Sequence, residues 1–169
     1  FYVGGAIQFN DNLAVLDVGD DLYWQDGSSV AVNTTTDFAP AVYVGGDWEF
    51  QPGSAVDFTK GVVDFQGTST SWVRCKSASS NFHNIRNNKS GGAFLALSGA
   101  STTDMIVEGN MYMYSGTKLT SYSAYSMTID GFLNNIGGNI TMESGTLKFN
   151  GNPSIGLKMN AGDYLYHLT

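Results

Sequence analysis

Short runs of alternating apolar and polar residues, separated by turns rich in glycine and aspartate, follow one another along the chain. Leu13–Val18, Leu22–Trp24 and Ser29–Val32 set this pattern early, and Met105–Met113 and Met127–Leu133 repeat it later. Alternation with period two is typical of β-strands, and no window shows the i, i+3, i+4, i+7 spacing of an amphipathic helix. The pattern predicts an all-β fold of many short strands.

Glycines recur at the turns at intervals of 27, 21, 24, 18, 22 and 20 residues. A residue without Cβ is favoured where the backbone turns sharply through positive φ, so this recurrence is typical of the corners of a β-solenoid. We therefore predict a parallel β-helix with rungs of about 20–27 residues, and about seven or eight rungs would give a rod roughly 35 Å long. Parallel crossovers are nearly always right-handed, which predicts a right-handed coil. The predicted corner residues are Gly19, Gly46, Gly67, Gly91, Gly109, Gly131 and Gly151.

The chain also contains a longer internal repeat. The segment Trp48–Gly67 is similar to Ile140–Gly151, and both end in a Phe-x-Gly motif. The offsets are 145 − 61 = 84 for the turn glycines and 151 − 67 = 84 for the closing glycines. Phe65 and Phe149 hold the matching aromatic position and are predicted to fill the core.

A second pair of similar segments gives the expected domain organisation. Asn81–Asn88 is similar to Leu165–Thr169, and Ile85 and Leu168 are 83 residues apart. We expect one solenoid segment over 1–169, with long repeats at about 1–80 and 81–164 and a third beginning at 165. Nothing after Leu168 supplies the polar cap that a terminal rung needs, which favours a fragment of a longer repeat protein.

Three of these motifs resemble those of a known class of proteins. Phe82–Ile85, Val107–Leu119 and Gly145–Gly151 are similar to motifs in the long repeats of adhesin-like surface proteins secreted by Bacteroidetes-type bacteria. The resemblance implies a right-handed β-helix in a secreted or cell-surface protein. It therefore implies an extracellular location. Ser69–Ala78 departs from the family pattern because it is richer in aromatic and charged residues, among them Trp72.

Composition narrows the set of partners. Only 14% of the residues are charged, the net charge is −7, and the eight Lys and Arg residues are scattered singly. A nucleic-acid partner is not expected, because no basic stripe could follow a phosphate backbone. No apolar run reaches the roughly 20 residues of a transmembrane helix, so no transmembrane segment is predicted. The single Cys75 excludes an internal disulfide and an all-cysteine metal site.

Alternation places one set of aromatic residues on the outside of the predicted coil. If Met111 and Met113 point inward, Tyr112 and Tyr114 point outward, as does Tyr43 between two valines. Exposed aromatic rings can stack on sugar rings or on a protein surface, although single surface tyrosines are also ordinary. The candidate ligand-binding residues, for surface glycans or another cell-surface protein, are Tyr43, Tyr112, Tyr114, Tyr122 and Tyr125.

Acidic residues near the first corner raise the possibility of a calcium site. Asp17, Asp20 and Asp21 flank Gly19, and oxygen-rich turns can bind Ca²⁺. The glycine-aspartate nonapeptide of calcium-loaded β-rolls is absent, and aspartate also favours turns for backbone reasons. Calcium therefore stays an option, and no other cofactor is expected.

The chain is expected to be non-catalytic. The groups that could serve an enzyme, Asp57, Asp64, Arg74 and Arg86, form no known motif, and His83 and His167 hold the same position of the long repeat. We therefore expect an extracellular structural or adhesive β-solenoid, in contact with neighbouring repeats or with copies of itself end to end. The alternatives are a carbohydrate-binding or polysaccharide-degrading β-helix, and an all-β sandwich or barrel, which would need more hairpin turns.

Overall fold

The structure is a computed structural model that describes residues 1–150. The predictions that concern Gly151, His167 and the repeat beginning at 165 lie outside the described residues. Within this part of the chain there are eighteen short strands and no helix, and every strand pair is parallel.

The strands form three stacked faces. The seven-stranded face contains β1 (Tyr2–Val3), β4 (Leu22–Trp24), β7 (Trp48–Phe50), β9 (Ser71–Cys75), β11 (Phe94–Leu97), β14 (Lys118–Ser121) and β17 (Asn139–Met142). The six-stranded face contains β3 (Val15–Val18), β6 (Ala41–Val44), β8 (Val62–Phe65), β10 (Asn84–Asn87), β13 (Met111–Met113) and β16 (Leu133–Asn135). The third face contains β2 (Ala6–Phe9), β5 (Ser29–Val32), β12 (Met105–Val107), β15 (Met127–Ile129) and β18 (Leu147–Phe149), with single bridges between its two groups of strands.

The chain visits the three faces in a fixed order, so each circuit is one turn of a coil. Six turns are complete within the described residues, and β17 and β18 begin a seventh. Residues paired across adjacent turns are between 147 − 127 = 20 and 48 − 22 = 26 positions apart. The predicted all-β parallel β-helix is confirmed, and the sandwich or barrel alternative is wrong because no strand pair is antiparallel in this part of the chain.

The core is a set of inward-facing side chains stacked turn upon turn. On the six-stranded face one such column runs through Leu16, Val42, Val63, Ile85, Met111 and Leu133. The early turns are filled by aromatic side chains, which are Trp24, Trp48, Phe50, Phe58, Phe65 and Phe82, whereas the later turns use Met, Leu, Val and Ile. Each fully buried side chain of this kind contributes about 1.5–3 kcal/mol by area. Phe65 is fully buried as predicted, and Phe149 is partly buried and packs against the core.

Polar side chains at two corners link each turn to the next. The Asp21 carboxylate accepts a hydrogen bond from the Asp47 N–H at 2.7 Å, and Asp47 accepts one from the Trp72 N–H at 2.9 Å. At the other corner, Asn84 accepts one from the Asn110 N–H at 2.8 Å, and Asn110 in turn accepts one from the next turn. These bonds satisfy backbone donors that the ladders leave unpaired.

The corner glycines do not all serve the purpose that the sequence suggested. Gly67 and Gly91 have positive φ, but Gly19, Gly46, Gly109 and Gly131 do not, so the prediction based on φ is wrong for those four. At Gly131 the reason is close stacking, because a Cβ there would lie 2.4 Å from the carbonyl oxygen of Gly109. Gly46 and Gly109 are similarly crowded by the preceding turn, whereas Gly19 has open space.

The crowding predicts different effects for two stacked glycines. A Cβ on Gly45 would lie 2.1 Å from the Gly19 carbonyl oxygen, whereas a Cβ on Gly19 would meet nothing within 4 Å. Gly45→Ala is expected to lower the free energy of unfolding by about 1–3 kcal/mol through overpacking, and Gly19→Ala by less than about 0.5 kcal/mol. Urea denaturation followed by circular dichroism compares the two. Equal losses would contradict the stacking explanation.

The 84-residue offset does not return the chain to the same face everywhere. Trp48–Phe50 and Asn139–Met142 both belong to the seven-stranded face. Val62–Phe65, however, lies in the six-stranded face and Leu147–Phe149 in the third face. The difference arises because turns range from 20 to 26 residues, so a fixed offset drifts around the coil.

Candidate functional site

The predicted tyrosines lie on different faces and do not form one row. Tyr43 and Tyr112 are half-buried in one outward column of the six-stranded face, and Tyr114 follows it at 36% exposure. Tyr122 lies on the outside of the seven-stranded face at 45% exposure, and Tyr125 is in the loop beyond it at 42%. Of the five, Tyr122 lines a cavity.

That cavity is a trench on the outside of the seven-stranded face, with a volume of about 220 Å³. Six side chains from three consecutive turns line it, and we refer to them together as the trench: Phe94, Lys118, Thr120, Tyr122, Thr141 and Glu143. The sequence analysis identified Tyr122 among these residues and missed the other five.

Strand alternation and register explain why these side chains meet. Leu119 and Ser121 of β14 point into the core, so Lys118, Thr120 and Tyr122 point outward. Lys118 and Tyr122 are four positions apart, which separates the two walls by about 13 Å along the strand.

Small residues form the floor between these walls. Thr120 pairs with Ala96 on the turn before and with Thr141 on the turn after. Ala96 is fully buried and Thr120 nearly so. The floor is therefore a shallow strip that runs along the axis of the coil, across the strands.

The amino-terminal end of the trench is aromatic. Trp72 pairs with Ala96 of the floor, and its ring centroid lies 5.8 Å from that of Phe94 and 5.6 Å from that of Tyr122. The contact with Phe94 is edge-to-face, at an interplanar angle of 82°. Because Trp72 touches the rings of both walls, it holds them apart in fixed positions.

The polar groups of the trench have no protein partners. Within residues 1–150 the Lys118 ammonium, the Glu143 carboxylate and the hydroxyls of Thr120 and Thr141 make no hydrogen bond or ion pair. Elsewhere on the same face charged side chains are paired, as Arg74 is with Asp47 at 2.8 Å and Lys76 with Glu49 at 2.9 Å. The trench thus combines apolar rings with hydrogen-bonding groups that are available to a ligand.

The aspartates considered for calcium do not converge on a site. The oxygens of Asp21 accept hydrogen bonds from the Asp47 N–H and from the Tyr23 hydroxyl at 2.9 Å, and the second bond raises the pKa of Tyr23 to about 12. Asp17 lies instead beside Tyr43 on the six-stranded face. Among the described residues no group of three or more His, Cys, Asp or Glu could hold a metal ion, and Asp17, Asp20 and Asp21 therefore form no calcium site.

The residues considered for catalysis are spread over all three faces. Asp57 is on the third face, Asp64 and Arg86 are paired on the six-stranded face, and Arg74 is on the seven-stranded face. Asp64 is 3% exposed, and burial raises its pKa although Asn88 donates to both carboxylate oxygens. The four side chains share no site.

A different carboxylate pair does come together, at the corner between the third and six-stranded faces. Glu108 accepts a hydrogen bond from the Asn81 amide at 3.2 Å, and burial together with the nearby charges of Asp57 and Asp130 raises its pKa. Burial lowers the pKa of neighbouring His83. The sequence did not indicate this group, because its members come from separate turns.

Comparisons add no relative to these observations. No protein-family model, curated protein or solved structure matches the chain. Within residues 1–150, no helix has the length and apolar character needed to cross a bilayer.

Proposed function

We propose that the chain is a non-catalytic, extracellular rod segment with an adhesive role, part of a cell-surface or filament-forming protein. The observation that carries the proposal is the trench, a set of apolar rings and unpartnered polar groups on the outside of a stacked scaffold. Along the rod, the neighbours would be further repeats or copies of the same chain.

The scaffold supports this proposal because it holds the trench without needing a ligand. The lining side chains sit on β11, β14 and β17 or directly after them, and continuous parallel ladders join these strands. Side chains carried on regular strands lose little freedom on binding, so more of the contact energy is left for affinity. A rigid outward face of this kind suits attachment to another surface.

Adhesion is expected to depend on the trench. Beads coated with the protein are passed in flow over epithelial cells, bacterial cells and collagen, and we expect retention on at least one surface. Replacing both Phe94 and Tyr122 by alanine should reduce that retention at least threefold, because it removes the apolar wall surface. Tyr125→Ala is the matched control, since Tyr125 is equally exposed and lies outside the trench. No retention, or retention unchanged in the double variant, would refute the proposal.

A second candidate, polysaccharide degradation, is favoured by the carboxylates at Glu108 and Asp57. An acid with a raised pKa beside a second carboxylate is the arrangement that glycoside hydrolysis uses. Release of reducing ends from soluble polysaccharides by the wild type, and its loss in Glu108→Gln, would favour this candidate over the adhesive rod.

A further inference from the structure

We infer that the trench binds one uncharged pyranose ring of a saccharide. The inference rests on the proposed adhesive function and names the class of ligand at its site.

The aromatic end of the trench fits the apolar side of a sugar. A pyranose ring presents patches of C–H groups on its two faces, and an aromatic ring packs favourably against such a patch. Phe94 and Tyr122 stand on opposite walls, and Trp72 fixes both from behind. A ring that enters between the walls can therefore contact aromatic carbon before any hydrogen bond forms.

The polar end fits the hydroxyl groups at the edge of the same sugar. Each threonine hydroxyl can donate one hydrogen bond and accept others, as a sugar hydroxyl does. Thr120 and Thr141 are paired neighbours on adjacent strands, about 4.8 Å apart. Lys118 adds donors on one side and Glu143 adds acceptors on the other. All four groups lack protein partners within the described residues, so a ligand would satisfy them without breaking an existing bond.

Charge and size restrict the ligand further. The trench contains one cation and one anion, and the chain has a net charge of −7, so a polyanionic chain would be repelled. The volume of about 220 Å³ is below the range of roughly 300–1,000 Å³ that is usual for larger ligands. A single uncharged ring in a longer chain meets both limits.

Direct binding measurements test the inference. Isothermal titration calorimetry is carried out on the full chain with cellotetraose, chitotetraose, mannotetraose and the anionic tetragalacturonate as probes. We expect at least one neutral tetrasaccharide to bind with a Kd on the order of 1 mM, because a site for one ring makes few contacts. Tetragalacturonate should bind at least tenfold more weakly.

Variants identify the site. Tyr122→Ala removes an exposed wall ring, and Thr120→Val removes a floor hydroxyl at nearly constant volume; each should weaken binding at least fivefold. Tyr125→Ala should leave the Kd unchanged, and circular dichroism establishes that all three variants are folded. Failure of every neutral probe, preference for tetragalacturonate, or insensitivity to both trench variants would overturn the inference.

The outcomes for the saccharide and for adhesion can be separated. Adhesion that needs the trench but survives enzymatic removal of glycans from the target surface would overturn the saccharide inference and leave the adhesive function standing. Saccharide binding through the trench, without retention of beads on any surface, would support the inference and refute the adhesive function.

Discussion

Trp48→Ala is expected to lower the free energy of unfolding by about 3–5 kcal/mol, the largest effect of any substitution considered. Trp48 is fully buried and is the centre of the aromatic core. Its ring centroid lies between 5.2 and 6.2 Å from five others, which are those of Trp24, Phe50, Phe58, Phe65 and Phe82. Truncation would leave a cavity that these rings cannot fill, because each is held by its own strand or by a neighbouring turn.

The matched control for this experiment is Trp72→Ala on the same sheet. It removes the same atoms from the outer side, where the side chain is half-buried and touches two rings. Urea denaturation followed by far-ultraviolet circular dichroism is suitable, because it does not depend on tryptophan emission. We expect Trp72→Ala to lose less than half as much stability as Trp48→Ala. Equal losses would mean that the inward aromatic stack is not the main source of stability.

Stability is expected to rise between pH 7 and 9.5 because of Lys89. Its ammonium is 2% exposed and donates to the carbonyl oxygens of Gly45, at 2.6 Å, and Gln66. Burial lowers the pKa of Lys89 to about 8, although the charge of Asp47 opposes the shift. The unfolded chain therefore binds more protons than the folded chain between pH 8 and 10.5. Loss of this difference as the pH rises is worth about 2 kcal/mol by pH 9.5.

Cys75 titrates in the opposite sense and has to be removed for this measurement. Burial raises the pKa of its thiol to about 12, so the unfolded chain loses its proton first and stability falls above about pH 9. We therefore compare urea midpoints at pH 7 and 9.5 in a Cys75→Ala background, with and without Lys89→Met. The rise should be present with lysine and absent with methionine. A rise of the same size in both proteins would assign it to another group.

Much of the fold could be predicted from local sequence. Period-two alternation indicates strands wherever one face is buried, and recurring glycine turns indicate a coil. The role of each glycine could not be predicted, because crowding at Gly131 depends on Gly109, which lies one turn away. Nor could the sequence show that the 84-residue offset leads from the six-stranded face to the third face, since turn lengths vary.

The candidate site was less predictable for the same reason. Phe94, Lys118 and Asn139 become neighbours only through register offsets of 118 − 94 = 24 and 139 − 118 = 21 residues. Alternation alone indicated that Tyr122 could be exposed, but not which side chains would surround it. One signal was present in the sequence: Lys118–Tyr122 and Asn139–Glu143 share an aliphatic-x-threonine order that places one threonine beside the other.

The corner hydrogen bonds have a direction, and this has a consequence for synthesis. In each of them a side chain accepts from the backbone of the turn that follows: Asp21 from Asp47, Asp47 from Trp72, and Asn84 from Asn110. A ribosome releases the acceptor of every such bond before its donor. Each completed turn is therefore a finished template when the next one emerges, and the coil can assemble progressively from its amino end without waiting for the rest of the polypeptide.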